Sequence, residues 1–196
     1  PDGEKGEIGV IAIQSEKLNK MAAAIYTGSI SAMPSGTPKR RIQEQIPKDV
    51  SVLMGTFGVQ STTDENGNLV LLAYGQGVPA TKSKNSLKNA HKKARIRAMG
   101  DLRSFAGETV AFTDVLNDEE SVQEFEDDME SSTVEEYLED KVKSTAKSLN
   151  ISGISTVKRW SGAHPFGGSP IAGIVIAWSP QAAGAAKKME KSMAEP

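Results

Sequence analysis

The 196-residue chain contains no cysteine. Disulfides, thiolate metal sites and a cysteine nucleophile are thereby excluded, while the compartment stays open. Aromatic residues make up only 5% of the chain, so its core must be built mostly from Val, Ile, Leu and Ala. Long apolar runs are lacking as well. Stretches such as Ile174–Trp178 fall far short of the ~20 residues a membrane helix needs. Charge of one sign is also missing overall, with 23 basic against 25 acidic residues and a formal charge of −2. That balance argues against a dedicated nucleic-acid binder. The sequence opens at Pro1 with neither a starting Met nor a signal peptide, so a processed or excised chain is expected. None of the motifs G-x-S-x-G, H-E-x-x-H or G-x-x-x-x-G-K-[ST] occurs. We therefore expect no enzyme, no metal and no cofactor.

The length fits one domain with a small appendage. Residues 1–7 read as a frayed lead-in, followed by a short strand at Ile8–Gln14 and an alanine-rich helix at Lys17–Tyr26. Met33–Pro47 holds Pro34, Pro38 and Pro47 beside the basic trio Lys39, Arg40 and Arg41. Proline at that density removes backbone donors, which predicts a loop or linker. The domain division is accordingly residues 1–47 as an N-terminal appendage and 48–196 as an α+β domain.

Val50–Thr62 and Leu69–Gly77 are rich in β-branched and apolar residues and predict two strands. The Asn66-Gly67 pair between them supplies the positive φ that a tight hairpin turn requires. Asp64-x-Asn66-Gly67 also resembles the start of a calcium loop. Gly75 stands where that loop needs its closing carboxylate, so a turn is preferred.

Leu87, Ala90 (or His91), Ala94, Ala98, Leu102 and Phe105 then mark one apolar stripe at helical spacing. Ser83 or Asn85 can cap the start and Gly107 the end. Residues 80–103 carry eight basic side chains (Lys82, Lys84, Lys88, Lys92, Lys93, Arg95, Arg97, Arg103) against one acid, Asp101. Residues 114–140 invert the sign, with thirteen carboxylates and no Lys or Arg. Ser132-x-x-Glu135 fits a capping box for a second helix through Val134, Leu138, Val142, Ala146 and Leu149. Strands at Ile154–Trp160 and Ile171–Trp178, and a helix opened by Pro180 over Gln181–Ser192, complete the order β-β-α-α-β-β-α. The short connections within each strand pair predict a largely antiparallel sheet and an α+β fold.

Three features invite chemistry. Gly75-Gln76-Gly77-Val78-Pro79-Ala80 has the G-x-G-x-x-A spacing of a dinucleotide turn, with Asp114 after a short strand at Val110–Phe112 as its acidic partner. Leu69–Tyr74, however, reads as a hairpin arm rather than a parallel strand, and no further βαβ unit follows. The plainer alternative is that the glycines let the strand leave the sheet and turn into the helix. The loop Ser161–Pro170 carries His164 and Phe166, and we expect Trp160, His164, Phe166 and Trp178 to cluster there if the flanking strands pair. Aromatics held on a rigid hairpin suit an interface; the plainer alternative is that His164 is a structural loop histidine and Phe166 folds back to cover the end of the sheet. The opposed charge blocks suit pairing within the fold or between subunits. The basic helix lacks the interleaved aromatics that stack nucleic-acid bases.

The stretch Leu69–Thr109, with Tyr74-Gly75-Gln76-Gly77 followed by Ala90, Ala94, Ala98 and Leu102, resembles the bacterial lipoprotein-20 family. That resemblance implies a small α+β sandwich of the kind found in outer-membrane lipoproteins associated with the flagellum, with no established catalytic residues. Val157–Pro180, with Arg159-Trp160-Ser161, His164-Pro165 and Ala177-Trp178-Ser179-Pro180, is similar to uncharacterised Gram-negative proteins carrying related domains. It implies a non-enzymatic protein of the periplasm or cell surface, working through protein partners or self-association. The alternative is a binding domain for a small phosphorylated ligand or nucleotide, using Gly75, Gly77, Ala80 and the following helix.

Overall fold

The computed structural model describes Lys20 and residues 36–117, 151–164 and 168–194. The strand expected at residues 8–14, most of the helix at 17–26, the helix at 134–149 and Phe166 lie outside the described residues. Four strands form one sheet: β1 Gly58–Thr63, β2 Leu69–Gly77, β3 Ser155–Ala163 and β4 Pro170–Trp178. Their order is β1-β2-β4-β3 and every pairing is antiparallel. Two short helices, α1 Ile42–Gln45 and α2 Val50–Met54, precede β1; the long α3 spans Lys84–Asn117 and α4 spans Pro180–Ala194. The fold is α+β, as expected.

The central strands β2 and β4 are the most apolar segments of the chain, because helices cover both of their faces. On one face Leu69, Leu71, Ala73, Ile174, Ile176 and Trp178 meet Ala94, Ala98, Leu102 and Ala106 of α3 and Ala183 of α4. On the other, Val70, Leu72, Tyr74, Val175 and Ala177 meet Ile46, Leu53 and Trp160.

The β1–β2 hairpin closes as its Asn-Gly pair predicts, with Gly67 at φ +80°. Asp64 organises the turn, accepting hydrogen bonds from the Asn66 N–H (2.9 Å), the Asn68 N–H (2.8 Å) and the Asn68 side-chain amide (2.9 Å). Partial burial pushes the Asp64 carboxyl upward, but these hydrogen bonds outweigh it and hold the group below the ordinary carboxylate value. A depressed folded-state value contributes stability above the unfolded value near ~4, and that stability is lost as pH falls through the folded one. Urea denaturation of Asp64→Ala against wild type should therefore show a stability gap at pH 7 that shrinks below about pH 4. A gap unchanged by acid would mean that the carboxylate charge does not hold the turn.

Three expectations along the chain need correction. Residues 36–47 are part of the folded unit rather than a linker. The Gly36 N–H donates to the Gly67 carbonyl at 2.8 Å, the Gln45 side-chain amide donates to the Thr63 carbonyl at 2.9 Å, and Ile46 is only 2% exposed. The prolines remove donors there, yet side chains and turns satisfy the backbone that remains. Burying Ile46 offsets the ordering cost, at about 1.5–3 kcal/mol for a side chain of that size.

The strand expected from Val50 begins only at Gly58, since Val50–Met54 is helical. The Asp49 carboxylate caps this turn, accepting from the Ser51 N–H at 2.8 Å, and Leu53 is then 1% exposed against the sheet. The cap and this burial outweigh the β preference of two valines. Finally, α3 does not stop at Gly107 but continues to Asn117, absorbing residues 110–112, where the sequence predicts a short strand. Gly107 does not adopt the positive φ of a helix-ending glycine. At the other end Ser83 is the cap, its Oγ accepting from the Ser86 N–H at 3.2 Å.

Candidate functional site

The G-x-G-x-x-A stretch is not a turn. Gly75 and Gly77 lie inside β2, opposite Ile174 and Ala172 of β4. A Cβ at Gly75 would lie 2.0 Å from the Ala94 carbonyl oxygen, and one at Gly77 2.3 Å from the Ala90 carbonyl oxygen. Ala90, Ala94 and Ala98 are each no more than 1% exposed. The glycines and alanines together form a seam in which helix backbone rests on strand backbone. This close approach explains the spacing, and it leaves no room for a pyrophosphate at either glycine. Ala80 is exposed beyond the end of the strand. A cleft of about 240 Å³, lined by Pro79, Thr81 and Leu87 on one side and Ser161, Gly162 and Ile171 on the other, includes neither Gly75 nor Gly77.

The expected aromatic cluster is also split. Trp160 is 7% exposed and packs with Ile46, Leu53 and Tyr74, whereas Trp178 is 1% exposed and packs with α3 and α4 on the opposite face. They also sit at different heights on β4: Trp160 lies opposite Gly173, while Trp178 is five residues further along. A register irregularity between Thr156 and Lys158 is the cause. One extra residue, Val157, reverses the alternation of β3 beyond it. Thr156 and Arg159 consequently share the α3 face, opposite Ile176 and Ile174, and Trp160 turns to the other face. The indole lies over Gly173, where a Cβ would come within 2.0 Å of the ring.

His164 is exposed in the β3–β4 connection. Its N–H donates to the Ser169 carbonyl at 2.8 Å and its carbonyl accepts from the Gly168 N–H at 2.9 Å. His91 works as a strut from α3 to β3: Nδ1 lies 3.0 Å from the Leu87 carbonyl oxygen and Nε2 3.0 Å from that of Trp160. Arg95 reaches the same strand through the Thr156 hydroxyl.

Two further surfaces emerge from the fold, one absent from the sequence pattern and one built on the basic helix. The first is the outer edge of β1. Both edge strands of the sheet are exposed to pairing, but they are protected unequally. β3 carries Lys158 and Arg159 together with the irregularity at Val157, the usual protection against strand addition. β1, Gly58-Val59-Gln60-Ser61-Thr62-Thr63, has no charge, no proline and no bulge. Gln45, Lys39 and Thr37 cover its Thr62–Thr63 end. Among the described residues nothing pairs with the outer side of Gly58–Ser61. Phe57, immediately before it, is 66% exposed, and Val52 of α2 is 51% exposed.

The second surface is a cleft of about 430 Å³ between α3 and the β3–β4 pair, lined by basic side chains over Leu87 and Ile174. Asp101, the one acid of the 80–103 stretch, lies outside it. Burial raises the Asp101 carboxyl above its ordinary value and Arg97 opposes the shift. Among the described residues no group of three or more His, Asp or Glu could hold a metal ion.

No protein-family model matches the chain. No curated protein matches it either. Among solved structures, the 2.3 Å crystal structure of a hypothetical protein from Francisella tularensis is similar, with a TM-score of 0.59 and 23% identity. The match covers 86% of this chain and 48% of that one, so the chain spans about half the length of its neighbour. At that identity the likeness shows the fold alone.

Proposed function

We propose that the chain is a non-enzymatic assembly module of the bacterial envelope, associating with a second copy of itself through the outer edge of β1. The observation that carries this reading is the unequal protection of the two sheet edges. An uncharged edge strand offers its free N–H and C=O groups as a template for another strand. Because Gly58–Ser61 bears no charge, two such edges can pair antiparallel about a two-fold axis without like charges meeting. Exposed Phe57 immediately precedes the seam and adds apolar area to cover. A net charge of only −2 leaves association largely unopposed. The envelope setting rests on the resemblance carried by Tyr74–Gly77 and by Arg159–Ser161 with Ala177–Pro180.

Sedimentation velocity over a concentration series tests the reading. Wild type should pass from monomer to dimer. Gln60→Lys with Ser61→Lys should stay monomeric with an unchanged melting temperature, since both side chains are exposed. Monomeric wild type at every concentration, or a double variant that still dimerises, would rule out the β1 edge.

A further inference from the structure

The basic cleft has a composition that edge pairing neither uses nor explains. Lys84, Lys88 and Lys92 recur every four residues along the N-terminal part of α3 and so line one side of it. Arg95, one turn further on, and Arg159 across the gap on β3 complete the wall, and Leu87 and Ile174 form an apolar floor. Arg159 reaches this face only because the extra residue at Val157 reverses the alternation of β3.

No carboxylate lines the cleft. Arg95 is held by Thr156, and His91 is engaged by two carbonyl oxygens at the back wall. Lys84, Lys88, Lys92 and Arg159 have no hydrogen-bond or ion-pair partner among the described residues. Folding thus places five cationic side chains around one concavity, where their mutual repulsion costs stability and their summed field concentrates anions. The volume is that of a small-molecule site.

We propose that this cleft binds a phosphate monoester, the phosphate seated among Lys88, Lys92 and Arg159 and the organic portion resting on Leu87 and Ile174. A single carboxylate would leave most of these charges uncompensated. A dianionic phosphate offers several strong acceptor oxygens, and the guanidinium of Arg159 can engage two of them at once. The apolar floor favours an ester with a hydrocarbon body over inorganic phosphate. The site is independent of the β1 edge, so either proposal can fail alone.

Isothermal titration of the full chain with phenyl phosphate at low ionic strength supplies the test, with benzoate and inorganic phosphate as comparators. Phenyl phosphate should bind more tightly than either. Lys88→Gln with Lys92→Gln should weaken it about tenfold or more. Lys187→Gln with Lys188→Gln, which removes the same charge from the exposed surface of α4, should leave it unchanged. Equal losses in the two double variants would reduce the effect to general electrostatics and overturn the site, as would the absence of phenyl phosphate binding or a preference for benzoate.

Two vesicle populations distinguish the sources of the phosphate, phosphatidylcholine alone and phosphatidylcholine with phosphatidic acid. Co-sedimentation with the second only, lost in the Lys88/Lys92 variant, identifies a lipid monoester. Titration with phenyl phosphate and no sedimentation with either identifies a soluble one.

Discussion

Replacing Gly75 by Ala is expected to destabilise the protein by about 3 kcal/mol, the upper end for adding one methyl group to a packed core. The added Cβ would meet the Ala94 carbonyl oxygen at 2.0 Å and the Ala98 nitrogen at 2.7 Å. Both are helix backbone, so no rotamer change relieves the overlap, and α3 must shift off the sheet. That shift would loosen the contacts of Ala94, Ala98 and Leu102 together. Gly100 is the contrast, because a Cβ there meets nothing within 4 Å and the residue lies on the exposed side of the same helix. Gly100→Ala should be neutral or stabilising by up to about 1 kcal/mol. Chemical denaturation of the two variants checks the seam directly. Equal behaviour would show that α3 does not rest on β2 in this way.

The second large effect concerns Trp160 and Gly173. Truncating Trp160, only 7% exposed, should cost about 3–5 kcal/mol. Gly173→Ala should cost about 2–3 kcal/mol, because its Cβ would lie 2.0 Å from the indole. Combined with Trp160→Ala, the glycine substitution should lose most of its cost, since the space above β4 is then open. The double-mutant cycle should return a coupling of about 1–3 kcal/mol. Additive effects would place the indole elsewhere than over Gly173.

Both experiments address places where the sequence was legible only in part. The alanine stripe of α3, the Asn66-Gly67 turn and the apolar run of β4 follow from local periodicity, and each appears where it was read. Gly75 and Gly77 were conspicuous, but their spacing alone does not distinguish a phosphate turn from close helix–strand packing. Tertiary contact with Ala90 and Ala94 decides it. The two tryptophans part for a different reason. Strand alternation predicts faces only while the register is regular, and the extra residue at Val157 has no sequence signature. The same shift brings Arg159 to the cleft, so the basic helix was visible in the sequence and the far wall was not. Ile46 and Leu53 were hidden by their neighbours: Pro38 and Pro47 suggested a linker, and the valines suggested a strand. Asp49, whose carboxylate caps α2, is the sequence signal that the β propensity of Val50 and Val52 masks. The edge of β1 became visible only once the strand order put it at the border of the sheet.

Amide hydrogen exchange at low and high protein concentration tests the assembly account most directly. The account predicts that the rise in protection on association concentrates in Gly58–Ser61, whose outer side pairs with nothing among the described residues, with a smaller rise at the flanking Phe57. The β3 segment Ser155–Ala163, at the protected edge, should exchange alike at both concentrations. Protection that rises at β3 or along α3 while Gly58–Ser61 stays unchanged would contradict the account.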